Sequence, residues 1–124
     1  MGLSFLGNTE EFNEDLFALI TAISGSGPAW FYELSNQLVK SATKLGMNEN
    51  DATNLIKGLI KALPNLINED DTFDELVNKV KSPKGTTEAG LNSLIVDNFD
   101  NIIFNAIRQA TNRSIEISTE LKNE

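Results

Sequence analysis

Cysteine and histidine are both missing from this 124-residue chain. Their absence removes a thiolate nucleophile, a Ser-His-Asp triad, a thiolate metal centre and any imidazole ligand. It removes disulfides too, which suits a reducing compartment. Basic residues are scarce: ten Lys and Arg stand against eighteen Asp and Glu, for a net charge of -8. Such a surface repels phosphate backbones, so no nucleic-acid partner is expected. No apolar run approaches the ~18 residues that a membrane-spanning helix needs, so no membrane partner is expected either. The opening stretch carries Glu10, Glu11, Glu14 and Asp15 without a Lys or Arg, the wrong charge for a secretory signal, and a cytoplasmic location follows as an expectation. Alternating runs of Val, Ile and Thr are missing, and so are internal repeats.

What remains is helical periodicity nearly throughout, in a length that suits one all-α domain. Asn13 can cap a first helix with Leu16, Ile20 and Ile23 on one face. Ser24-Gly25-Ser26-Gly27-Pro28 reads as a flexible break, its proline at the first position of the next helix. That second helix runs through Ala29, Trp30, Phe31, Leu34, Leu38, Ala42 and Leu45 and stops at Gly46. Asn48 with Asp51 resembles a capping box for a third helix along Ala52, Leu55, Ile56, Leu59, Ile60 and Leu63, which Pro64 should kink or end. Thr72 with Glu75 is a second capping box, for a short helix ending near Val80. Asp97 with Asp100 should cap the last and longest helix, whose stripe is Phe99, Ile102, Ile103, Ala106, Ile107, Ala110, Ser114, Ile117 and Leu121.

These stripes are broad for a bundle of this size. Trp30, Phe31, Tyr32 and Leu34 are nearly consecutive, and the last helix is long enough to overhang a small domain. Self-association through the helices is therefore expected.

The stretch from Lys81 to Leu91 carries the clearest chemistry. Pro83 and Gly85 punctuate a tight loop, and Thr86 or Thr87 offers an N-cap hydroxyl before Ala89, Leu91, Leu94 and Ile95. The free N–H groups of such a helix start, with the positive end of its dipole, suit a carboxylate or phosphate. Lys79, Lys81 and Lys84 crowd the same loop. An ordinary capped turn uses the same residue types. The upstream Gly25-Ser26-Gly27 is no dinucleotide loop, since no strand precedes it and Trp30 fills the third glycine position.

Taken together, the two segments Thr21-Ala22-Ile23-Ser24-Gly25-Ser26-Gly27-Pro28-Ala29-Trp30 and Ser82-Pro83-Lys84-Gly85-Thr86-Thr87-Glu88-Ala89-Gly90-Leu91 resemble the C-terminal domain of pyrroline-5-carboxylate reductase. That family carries Ser-Gly-Ser-Gly-Pro-Ala-aromatic and, further on, Ser-Pro-Gly-Gly-Thr-Thr. Lys44-Leu45-Gly46 and Ala110-Thr111-Asn112-Arg113-Ser114 agree as well, and the resemblance extends from about Gly7 to about Glu120.

The resemblance implies an all-α helical bundle that interlocks with its partner in a homodimer, with larger assemblies possible. It also implies a role in reducing 1-pyrroline-5-carboxylate to proline with NADPH or NADH. Val80, Ser82, Gly85, Thr86 and Thr87 would surround a small carboxylate ligand, proline or pyrroline-5-carboxylate. Thr87 would place its hydroxyl near the ring nitrogen as the catalytic group, and Asp70 falls where the family often has an acidic residue. Met1 begins where the family's N-terminal Rossmann domain ends. The expectation is thus a single dimerisation and substrate-binding domain over residues 1–124, holding no cofactor by itself and inactive without a separate Rossmann chain. The alternative is a non-catalytic helical dimer or interaction module derived from that domain. Some positions depart from the family: Lys84 replaces the first glycine of the pair, Lys81 and Ile95 replace a small and a polar residue, and Asp71-Thr72-Phe73 replaces a His-Pro step. A lysine at position 84 would be strained if the backbone there needs positive φ.

Overall fold

The computed structural model describes residues 14–81 and 84–123. Five helices follow in order: α1 (Glu14–Lys44), α2 (Glu49–Leu66), α3 (Phe73–Val80), α4 (Thr86–Val96) and α5 (Phe99–Lys122). No strand occurs among the described residues, so the all-α expectation holds.

The predicted break at Ser24–Pro28 does not occur. α1 is one helix of 31 residues with Pro28 inside it. Gly25 and Gly27 keep negative φ, and the Pro28 ring forfeits only one ladder bond while the turns on both sides supply many. The Asn13 cap lies outside the described residues. Gly46 ends α1 as expected, at φ +112. Met47 N–H reaches the Ala42 carbonyl at 3.0 Å and Gly46 N–H reaches Thr43 at 3.1 Å, the paired bonds of a Schellman stop.

Asn48 caps α2, its side-chain oxygen accepting from the N–H groups of Asn50 and Asp51. Pro64 neither kinks the sequence into a new element nor ends α2 at once. The helix continues to Leu66, and its cap residue Ile67 still donates to the Leu63 carbonyl at 3.2 Å. Thr72 caps α3 by accepting from Glu75 N–H at 3.2 Å. Asp97 does not start α5. It closes α4, and Asn98 at φ +60 turns the chain directly into α5 at Phe99. Asparagine is among the few residues that hold this left-handed turn at low cost.

The described chain divides into two compact units, Met1–Trp30 with Asp100–Glu124, and Phe31–Phe99. In the first, the leading half of α1 lies on α5, with Ala18 and Ala22 buried. Lys122 pairs with the Glu14 carboxylate and holds it below the usual carboxylate range, mainly through their hydrogen bond. In the second, α2 lies along the trailing half of α1 and buries Ala52.

Those three alanines are the only buried apolar residues among those described. No large side chain is fully buried, while Phe31 and Tyr32 are each 69% exposed. The reason is geometric. In the first unit α1 turns Ala18 and Ala22 toward α5. In the second it turns Ser35, Asn36 and Val39 toward α2. Several of its larger apolar residues, among them Ile23, Phe31, Leu34 and Leu38, are left open. On α5 the exposed set is Phe99, Ile102, Ile103, Phe104, Ile117 and Leu121.

Candidate functional site

The sequence points to Asp70, Val80, Ser82, Gly85, Thr86 and Thr87, and those of them that are described fall within the unit Phe31–Phe99. Ser82 lies outside the described residues. Asp70 sits in the turn between α2 and α3, its N–H held at 3.1 Å by the Asn68 side-chain oxygen. The next N–H, from Asp71, reaches the Asn68 carbonyl at 3.1 Å. Val80 is the last residue of α3 and is exposed.

Gly85 is the N-cap of α4, in the left-handed region at φ +79. This corrects the expected threonine cap: Thr86 and Thr87 are the first residues of the helix, and no side-chain cap bond forms among the described residues. Among the described residues neither threonine hydroxyl caps the helix. Gly85 instead supplies the turn by its freedom at positive φ, and its carbonyl accepts the first helical bond from Ala89 at 2.9 Å. The N–H groups of Thr86, Thr87 and Glu88 precede that first bond and have no acceptor inside the helix. Thr86 is exposed and Thr87 half-buried.

Charge around the loop differs from the count of three free lysines. Lys79 pairs with Asp71. Lys81 and Lys84 are exposed and form no ion pair among the described residues. Glu88 places a carboxylate in the first turn of α4, where the dipole favours it and where it opposes a second anion. Lys84 is not strained, since Asn98 is the one non-glycine residue at positive φ among those described.

No group of His, Cys, Asp and Glu among the described residues could hold a metal ion. A dinucleotide does not fit them either: there is no strand, and Gly25 and Gly27 lie inside a helix instead of cradling phosphates at its start. No helix among the described residues is long and apolar enough to cross a membrane.

An all-helical domain with more apolar surface than core, and a helix start with a glycine in place of a side-chain cap, defines the class of this molecule. Its family follows from comparison with known proteins. Residues 14–117 match the family model described as pyrroline-5-carboxylate reductase dimerisation, and the chain belongs to that family. It is 37% identical over 113 residues to the pyrroline-5-carboxylate reductase of Staphylococcus haemolyticus, covering 90% of this chain and 42% of the relative. The corresponding enzyme of Staphylococcus saprophyticus is 32% identical over 119 residues, covering 95% and 44%. Among solved structures, the pyrroline carboxylate reductase of Plasmodium falciparum, with NADP bound, superposes with a TM-score of 0.74 at 31% identity, over 83% of this chain and 40% of that one. The pyrroline-5-carboxylate reductase of Coxiella burnetii gives 0.74 at 30% identity, over 85% and 39%. The chain thus spans less than half the length of the relatives it matches.

One feature of the region was not anticipated from the sequence, the Asp71–Lys79 pair. The signal was present in retrospect: opposite charges just before and at the end of a helix of eight residues.

Proposed function

We propose that this chain is the dimerisation and substrate-binding part of a pyrroline-5-carboxylate reductase. Two copies associate through the apolar faces of α1 and α5, and the loop between α3 and α4 holds the carboxylate of 1-pyrroline-5-carboxylate or proline. The observation that carries the reading is the exposed set Phe31, Leu34 and Leu38 on α1, which the chain's own helices leave open. A surface of that kind marks an association site. A second copy presents the same faces, which is the arrangement of a two-fold interface.

Within the site, Gly85 gives the backbone its close approach and the free N–H groups of Thr86 and Thr87 meet the carboxylate. Val80 packs beside the ring, Asp70 flanks it, and the Thr87 hydroxyl holds the proton due at the ring nitrogen. Reduction also needs a hydride donor, NADPH or NADH, which the described residues do not fit. That donor belongs to a nucleotide-binding domain, on the same polypeptide or on a separate one.

Light scattering tests the association. The chain should run at twice 13.6 kDa at micromolar concentration, and Phe31→Glu should shift it toward the single-chain mass. A folded parent of 13.6 kDa would end the proposal. The second reading, a helical dimer without catalysis, is favoured by Glu88, which already occupies the α4 dipole. Proline titration separates the two: chemical-shift changes at Gly85, Thr86 and Thr87 support the enzyme, and their absence supports the bare dimer.

A further inference from the structure

The ion pair between Lys79 and Asp71 joins the two ends of α3. Asp71 belongs to the turn before the helix and Lys79 to its last turn. The Asp71 side chain is only 13% exposed, against 59% for Lys79, so the lysine reaches in over a largely covered carboxylate. Each partner is the chain neighbour of a proposed site residue: Asp70 precedes Asp71, and Val80 follows Lys79. α3 has little else to fix it. It is eight residues long and buries none of them fully, and beyond its own ladder it has the Thr72 cap, the bond from Leu76 N–H to the Thr72 carbonyl at 3.0 Å and that from Lys81 N–H to the Val77 carbonyl at 3.3 Å.

We infer that Lys79 is a positioning residue: its pair with Asp71 sets the spacing between Asp70 and Val80, which flank the two ends of α3. The role rests on the carboxylate-site reading above. It also assigns the lysines different tasks. Lys79 is committed to Asp71, leaving Lys81 and Lys84 as the free positive charge near the ligand. Either half of the pair alone is useless for this purpose. A lysine without Asp71 would be one more solvated charge, and Asp71 without Lys79 would be a mostly covered carboxylate with nothing to oppose it.

The test uses the full chain, with proline as the probe and amide exchange measured in parallel. Lys79→Ala should weaken proline binding, read from shifts at Thr86 and Thr87, by about two- to fivefold, the effect of an ion pair of this exposure. It should also speed exchange of the Asp71 and Lys81 amides with no ligand present. Lys79→Arg and the exchanged pair Asp71→Lys with Lys79→Asp should restore both. Failure of both restorations, or unchanged proline affinity in Lys79→Ala, overturns the inference, because a role carried by the ion pair returns wherever the pair is remade. Unchanged amide exchange removes the clasp whatever proline does. No proline shift in the parent chain removes the carboxylate site, and the positioning role with it, even where exchange responds. The two failures are therefore told apart by the ligand-free measurement.

Discussion

Gly85 has no Cβ, and an added one would meet nothing within 4 Å. The cost of Gly85→Ala is therefore all backbone: an L-residue forced to φ +79 loses about 1–2 kcal/mol. Urea unfolding should show that loss, and proline shifts at Thr86 and Thr87 should weaken as the helix start relaxes to negative φ. Glu14 offers a different single-residue test. Its carboxyl is held low by the hydrogen bond from Lys122 and by that lysine's charge. A folded-state value below the unfolded one means the stabilisation is present above the ordinary glutamate range and is lost as pH falls through the depressed value. Carboxyl NMR titration should find Glu14 below ordinary glutamates, and Lys122→Met should return it to their range. Both side chains are well exposed, so the effect on global stability will be small.

The helices themselves are set by caps and stops more than by burial. Thr72 and Asn48 start α3 and α2, while Gly46 and Asn98 end α1 and α4. Gly58 sits inside α2 with negative φ, and a Cβ there would meet nothing within 4 Å. Gly58→Ala should accordingly raise stability by about 0.5–1 kcal/mol, measured by chemical denaturation. A loss instead would mean that a partner's backbone approaches α2 at this point. Gly25 and Gly27 are likewise helical with open space beside them. Nothing among the described residues explains why α1 carries two glycines in its interior.

At the scale of the whole molecule, a chain whose described residues bury only three alanines has little of its own to hold it folded. Burying a Leu, Ile or Phe contributes about 1.5–3 kcal/mol each, and those contributions must come from a second surface. Folding and association are then one equilibrium, so the melting temperature should rise with protein concentration. A melting temperature that stays constant over a hundredfold range of concentration would contradict the dimer. Phe31→Glu, which puts a charge on the open stripe of α1, should lower melting at every concentration.

The sequence by itself determined the helices that depend on local chemistry. The capping residues Asn48 and Thr72 and the Gly46 stop were legible because each acts within one turn of its own position. The all-α class and the family were legible too, the family through two motifs in order. Local reading failed where longer cooperation overrides a local rule. Ser24–Pro28 looked like a break, yet α1 continues because the turns on either side outweigh one lost bond. Asp97 looked like the start of α5, but the left-handed Asn98 places it at the end of α4. The position of the α4 cap was decided in the same way, by which residue could take positive φ. Only tertiary structure joined Glu14 to Lys122 across the length of the chain and Lys79 to Asp71 across α3. It alone showed that the residues α1 buries fully are Ala18 and Ala22 while Phe31, Leu34 and Leu38 stay open. Periodicity reports that a face is apolar; which face a neighbouring helix covers depends on how closely two backbones can approach, and alanines permit the closest packing.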